Sequence, residues 1–233
     1  MVILLQGAMD EEVDVFLEYF KPFEKKDING YDFYISSYKN HKIIISKTKE
    51  GIINATIATL VAIKEFTPDI VINQGCAGGH TLHAKQGYII IGEKTVYIND
   101  FKSIHKDKGE GSNSLDWIPN AKRSYEIYST KKLLDIAKNL KKKDDVFVGV
   151  LGSGDMLSRE YDRIIYLNSL FNEDCEDMES AAVFKVCDVF NVQRIAFRVI
   201  SNNELLLQKM DKQMCGKMQD FVIKYVDKLL LEY

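Results

Sequence analysis

Residues 68–79 read Pro68-Asp69-Ile70-Val71-Ile72-Asn73-Gln74-Gly75-Cys76-Ala77-Gly78-Gly79. The proline ends a helix predicted over Gly51–Phe66, whose Ile53, Ile57, Leu60, Val61 and Phe66 lie on more than one side. The apolar run that follows, Asp69–Asn73, is that of an interior strand, and Gly75–Gly79 predicts a glycine-rich turn at its end. A buried helix feeding an interior strand that ends in small residues is the repeating unit of an α/β fold.

Outward from that unit the alternation continues. Val2–Gln6 reads as a short buried strand, and Asp10–Phe20 as a helix with Val13, Phe16, Leu17 and Phe20 at helical spacing. Tyr31–Ser37 and Lys42–Lys47 flank a turn and predict a hairpin. Downstream come a strand near Tyr88–Ile91, a polar loop over Asn99–Arg123, a helix over Lys131–Lys142 and a strand over Val146–Leu151. Then follow a helix over Arg159–Phe171, a short strand near Asp174–Met178, a helix over Ser180–Phe190 and a strand over Arg194–Ile200. An amphipathic helix is predicted over Leu206–Leu231. With no repeat and no linker, residues 1–233 read as one α/β domain with a parallel or mixed sheet.

Composition narrows the function. The 233 residues are 46% hydrophobic and 28% charged, with a net charge of -3, so neither nucleic acid nor an anionic membrane is an expected partner. The one dense basic run, Lys141–Lys143, sits beside Asp144 and Asp145. No stretch approaches the roughly 20 apolar residues of a membrane span, and the N-terminus lacks the basic region of a signal peptide. Cys76, Cys175, Cys187 and Cys215 form no CxxC pair and no zinc-ligand spacing, which predicts reduced thiols, no metal and a cytoplasmic location.

In α/β sheets ligands collect at strand ends. Here those ends carry Gly7-Ala8-Met9-Asp10-Glu11-Glu12, the Gly75–Gly79 run, Gly152-Ser153-Gly154-Asp155, Met178-Glu179 and Ser201-Asn202. None matches GxGxxG or GxxxxGK[ST], and three acids follow the first strand where a pyrophosphate would need a helix N-terminus free of negative charge, so no nucleotide cofactor is expected. Asp10, Glu11 and Glu12 fit a favourable first helical turn, yet a carboxylate at such an end can also act as a general base. Glu179 can equally be a helix cap. Arg198 closes an apolar strand and so needs a buried carboxylate or a polar ligand. Cys76 has no partner base nearby in sequence, and His41, His80, His83 and His105 make no metal-like set.

Four blocks in this order and spacing resemble the purine nucleoside phosphorylase/uridine phosphorylase family. They are Gly7–Val13, Pro68–Gly79, Asp177-Met178-Glu179-Ser180-Ala181-Ala182 and Arg198-Val199-Ile200-Ser201-Asn202. The resemblance covers nearly the whole chain. It implies a three-layer α/β/α sandwich around a central mixed sheet, a homodimer without cofactor or metal, and cleavage of a purine nucleoside's N-glycosidic bond through a ribosyl-cation-like transition state. On that reading Glu12 deprotonates the attacking water, Arg198 organises the water site, and Asn202 stands where a base-protonating residue belongs. Cys76, Ala77, Gly78, Asp177, Met178, Glu179 and Ser201 would bind the substrate, with Glu179 holding the ribose hydroxyls, Met178 under the sugar and Ser201 placing its neighbour.

The chain departs from the family's nucleosidases at three places. Cys76 replaces a serine, Asn202 replaces an aspartate, and the Asn99–Arg123 loop differs from the segment that shapes the 5′-alkylthio pocket. The loop's Phe101, Ile104, Leu115 and Trp117 predict that it borders the site or a subunit interface. The first substrate class implied is 5′-methylthioadenosine or S-adenosylhomocysteine. A 6-oxopurine nucleosidase, a phosphorylase and a catalytically impaired nucleoside-binding protein stand as alternatives.

Overall fold

The computed structural model describes residues 1–120, 126–141 and 144–233. Its first half runs β1 (Val2–Gly7), α1 (Asp14–Tyr19), β2 (Phe23–Ile28), β3 (Tyr31–Tyr38), β4 (His41–Lys47), α2 (Ile52–Phe66), β5 (Ile70–Gly79) and β6 (Ile89–Tyr97). Then come β7 (Phe101–Lys102), β8 (Ile118–Pro119), β9 (Glu126–Tyr128), α3 (Lys131–Lys138), β10 (Val146–Ser153) and α4 (Tyr161–Phe171). The chain closes with β11 (Cys175–Asp177), α5 (Ser180–Phe190), β12 (Gln193–Asn202) and α6 (Met214–Glu232).

Strand periodicity divides the core into two faces. Ile3, Leu5, Ile43, Ile45, Ile70 and Ile72 pack with Phe16 of α1, Leu133 of α3 and Val222 and Val226 of α6. The residues between them, Leu4, Ile44 and Val71, pack instead with Ala55, Ala58 and Ala62 of α2 and Val183 and Cys187 of α5. Helices therefore cover both faces of a mixed sheet, which is the predicted sandwich.

The strand order is β11-β10-β6-β12-β5-β1-β4-β3-β2, with β9 added on β6. β1, β5 and β12 run parallel, whereas β6 is antiparallel to β12, and β10 and β11 follow the direction of β6. In a flat sheet that reversal would send the ends of β10 and β11 away from those of β5 and β12. The sheet curls instead, and β11 folds back onto β5, pairing Cys175 with Gly79 and Glu176 with Gly78. Curling, not a uniform strand direction, brings the predicted strand ends together.

Several elements differ from the sequence reading. Gly75–Gly79 is no turn: β5 continues through it to Gly79. A Cβ on Gly75 would meet Glu12 Oε1 at 2.5 Å, so glycine allows the strand to pass the carboxylate. The helix predicted from Leu206 begins at Met214, because Asn203 caps a short 3-10 turn over Glu204–Leu206 and Leu207 then turns left-handed at φ 56°. β2 was not anticipated. Its Glu24, Lys25, Lys26 and Asp27 are those of an exposed edge strand, which carries no apolar alternation.

The described part of the 99–123 loop pairs β7 with β8 and folds onto α4. There Arg163 lies 4.6 Å from the Phe101 ring centroid and 5.6 Å from that of Trp117, and donates to the Ser114 carbonyl at 3.1 Å. Residues 121–123 of that loop, Lys142 of the predicted third helix and the Lys142–Lys143 part of the basic run lie outside the described residues. Among the described residues no helix is long and apolar enough to cross a membrane.

Candidate active site

A cleft opens where β11 crosses the C-terminal half of β5. Glu12, Cys76, Ala77, Gly78, Asp177, Met178, Glu179, Ser201 and Asn202 all line it. Arg198 is buried beside this cleft rather than in its lining. The structure thus gathers every residue the sequence reading nominated, one of them from outside the lining. The lining of this cleft comes from segments other than the 99–120 loop, which sits against α4.

Glu12 ends the short 3-10 turn that follows β1. Its Oε2 accepts from the Ala8 N–H at 2.6 Å and the Met9 N–H at 3.3 Å, and its Oε1 from the Cys76 N–H at 2.8 Å. The reach back to the Met9 N–H is one half of a capping box, so the structural and chemical readings of this acid coexist in one side chain. Burial raises its carboxyl above the usual range, opposed by those three amides and by Arg198. A buried carboxylate with a raised pKa is a competent proton acceptor from water.

Arg198 lies 3.0 Å from Asp177 Oδ2 and 3.8 Å from Glu179 Oε2, and donates to Asn73 Oδ1 at 2.6 Å and to the Phe197 carbonyl at 2.9 Å. Asp177 also accepts from the N–H groups of Glu179 and Ser180 and from the Ser180 hydroxyl, which fixes the start of α5. Glu179 Oε1 accepts from the Gly51 N–H at 3.1 Å. Burial pushes the Glu179 carboxyl up to about 8, with Arg198 opposing and Asp177 and Glu12 adding to the rise.

In a regular strand, Ser201 and Asn202 would face opposite ways. A register shift between Ile200 and Asn202, against Ala77 and Gly78, brings both to the cleft. The Ser201 hydroxyl lies 3.2 Å from the Ala77 carbonyl and donates to Asn202 Oδ1 at 3.0 Å. Asn202 Nδ2 donates toward Glu204 Oε1 at 3.5 Å, and Glu204 pairs with Arg159 at 3.1 Å.

Several lining residues escaped the sequence reading: Met9, Glu50, Met156, Leu157, Glu176 and Met210, with Lys212 at the rim. Glu176 accepts from the Ser158 N–H at 2.6 Å and its hydroxyl at 3.0 Å, anchoring the segment that presents Met156 and Leu157. Behind it His80, read from sequence as a loop residue, is buried with Nδ1 2.9 Å from Glu173 and Nε2 3.6 Å from Glu176. The glutamate immediately before the Asp177-Met178-Glu179 block was the available signal for Glu176.

The cysteine reading is corrected. Cys76 is joined to Cys215, 139 residues away, while Cys175 and Cys187 are free and buried. That pairing is a tertiary contact between β5 and the first turn of α6, which spacing along the chain cannot reveal.

Comparison with known proteins agrees with this geometry. The Phosphorylase superfamily pattern matches residues 2–230. A 5′-methylthioadenosine/S-adenosylhomocysteine nucleosidase of Buchnera aphidicola is 31% identical over 206 residues, 87% of this chain and 85% of that protein. An aminodeoxyfutalosine nucleosidase of Campylobacter jejuni is 27% identical over 206 residues, with 87% and 86% covered. The Helicobacter pylori 5′-methylthioadenosine/S-adenosylhomocysteine nucleosidase bound to butyl-thio-DADMe-Immucillin-A superimposes with a TM-score of 0.81 at 25% identity, covering 98% of each chain. A futalosine hydrolase mutant of Helicobacter pylori gives 0.79 at 28% identity, covering 98% of this chain and 99% of that one. With both the strand order and the four sequence blocks accounted for, the chain belongs to the phosphorylase superfamily.

Proposed function

We propose that this protein is an N-glycosyl hydrolase of purine nucleosides, with 5′-methylthioadenosine and S-adenosylhomocysteine as its first substrate class. The observation that carries the reading is Glu12 held by three backbone N–H groups in a cleft shared with Glu179. Glu12 accepts the proton of an attacking water, and the clustered carboxylates favour the positive charge that develops on the sugar. Glu179 holds the ribose hydroxyls and Met178 packs beneath the ring. Arg198 keeps Asp177 and Glu179 in place through two ion pairs.

The lining supports a thioether at the 5′ position. Met9, Met156, Leu157, Met178 and Met210 offer flexible, polarizable apolar surface. It also argues for water over phosphate as the nucleophile. The lining carries Glu12, Glu50, Glu176, Asp177 and Glu179, while Lys212 reaches toward Glu11 at 3.4 Å and Arg198 is already paired. A specific observation favours a second substrate class: Asn202, whose amide can face a 6-oxo group, suits a 6-oxopurine nucleoside.

The assay is release of free base from 5′-methylthioadenosine, S-adenosylhomocysteine and inosine, with and without phosphate. Phosphate-independent release of adenine is the expected result; sugar 1-phosphate as product contradicts hydrolysis. The same reading places the enzyme in the cytoplasm as a homodimer serving methionine salvage. Ile53, Ile57 and Leu60 form an exposed stripe at helical spacing on α2 that suits a subunit contact. Light scattering of the purified chain measures the dimer directly.

A further inference from the structure

We propose that Cys76 and Cys215 form a reversible redox modification site inside the cleft, whose oxidised state holds the Met210–Lys212 wall against the β5 floor and whose reduced state loosens it. The inference rests on reading the cleft as a nucleoside site.

The two cysteines are joined with Cα atoms 6.0 Å apart, a separation that a disulfide bridges without backbone movement. They differ in access. Cys76 is partly exposed and lines the cleft, whereas Cys215 is buried at the start of α6. A thiolate entering through the cleft therefore reaches the Cys76 sulfur first. Its attack forms a mixed disulfide on Cys76 and expels the Cys215 sulfur as a thiolate, which takes up a proton. The second thiol of a dithiol reductant then displaces the Cys76 sulfur. The disulfide gains two electrons and two protons, and the dithiol leaves as a cyclic disulfide.

Two consequences for the site follow from position alone. A Glu12 carboxylate oxygen and both sulfurs lie within 4.8 Å of one another, so reduction places two titratable thiols beside the proposed base. The bond also ties β5 to the helix whose entry segment builds one wall. That segment runs from the exposed, left-handed Leu207 through Met210 and Lys212 into Met214. Its other ties are hydrogen bonds and one exposed ion pair. Gln208 exchanges backbone bonds of 2.9 and 3.0 Å with Asn203 and accepts from the Gln86 N–H at 2.8 Å. The Asp211 N–H donates to the Ser201 carbonyl at 2.9 Å, Gln86 Nε2 to the Lys209 carbonyl at 2.6 Å, and Lys212 pairs with Glu11. Without the disulfide, restraint of the wall falls to these contacts and to the packing of α6.

The test compares protein equilibrated with oxidised glutathione and protein reduced by dithiothreitol. Alkylation in denaturant should trap two thiols in the first and four in the second. The Kd of formycin A, a C-nucleoside with no hydrolysable glycosidic bond, should rise at least three-fold on reduction. With methylthioadenosine as the substrate, KM should rise by a similar factor. Saturating formycin A should slow reduction by dithiothreitol, because it covers Cys76. A Cys76→Ser/Cys215→Ser protein, which glutathione can cap at neither position, should bind alike under both conditions. Four thiols after oxidation, equal Kd values in the two states, or a Cys76→Ser/Cys215→Ser protein that still responds to dithiothreitol each overturn the proposal. A Kd shift in a protein that hydrolyses no nucleoside overturns the proposed function and leaves this inference standing.

Discussion

Asp177 Oδ2 lies 3.0 Å from the Arg198 guanidinium, and the pair joins the end of β11 to the C-terminal half of β12 in the protein interior. Arg198 also faces Glu179 and Glu12, so one cation offsets three buried carboxyls. Burial acts against its charge, but those acids more than compensate and raise its pKa. Arg198→Met should destabilise the fold by about 3–5 kcal/mol, because it leaves carboxylates without their partner. Arg198→Lys should recover part of that loss, since one ammonium cannot reach Asp177, Glu179 and Asn73 as a planar fork does. Urea denaturation of the three proteins measures the order.

Glu12→Gln should leave a folded protein whose turnover is lower by about 10²–10⁴, the usual contribution of acid–base catalysis. The amide oxygen can still accept from some of the Ala8, Met9 and Cys76 N–H groups, but its NH₂ must confront at least one of them. A stability loss of about 1–3 kcal/mol should accompany the kinetic loss. Wild-type turnover in folded Glu12→Gln protein removes Glu12 from the chemistry.

Stability should fall as pH rises from 6 to 9, and His80 should carry part of the fall. Burial acts against its imidazolium, yet Glu173 and Glu176 outweigh this and push its pKa up to about 9. A folded pKa raised above the unfolded value near 6.5 contributes stability fully below about pH 6.5, and that contribution is lost by about pH 9. Glu179 has the same sign: its carboxyl, raised to about 8, favours the folded state at acid pH and loses that contribution as it ionises. His80→Gln should therefore cost more stability at pH 6 than at pH 9.5. Equal costs at the two pH values show that the imidazole is neutral in the fold.

The residues of the cleft were legible in sequence because they lie in short contiguous blocks, each tied to a strand end. Glu12 with Gly7–Met9, Asp177 with Glu179, and Ser201 with Asn202 are local neighbours whose types disclose their chemistry. What stayed hidden depends on contacts between distant segments. Cys215 matters through Cys76, and His80 through Glu173 and Glu176. Met210 reads as part of a helical stripe until the Asn203 cap and the turn at Leu207 exclude it from α6. The glycines of β5 read as a turn for a similar reason, since only the fold shows that Glu12 occupies the space beside Gly75.

Asn202 offers the most direct test of how the leaving base is handled. Its carbonyl oxygen accepts from Ser201 at 3.0 Å, which turns its NH₂ toward Glu204 at 3.5 Å. An amide so oriented can donate a hydrogen bond to N7 of a purine but cannot deliver a proton at neutral pH. Asn202→Asp would set two carboxyls about as close as that amide and carboxylate are now. Like charges at such a separation raise one pKa, so the pair would retain a proton near neutrality. That proton is the one a departing adenine needs at N7. Asn202→Asp should therefore accelerate 5′-methylthioadenosine hydrolysis by ten-fold or more, on the order of the gain from a positioned acid. Inosine, whose 6-oxo group the native NH₂ can face, should gain less or lose. Glu204→Gln added to Asn202→Asp should cancel much of the gain, since it removes the charge that raises the aspartate pKa. Rates of free-base release from both nucleosides by the native, single and double variants decide it. An unchanged adenine-to-hypoxanthine preference in Asn202→Asp shows that this residue does not contact the base.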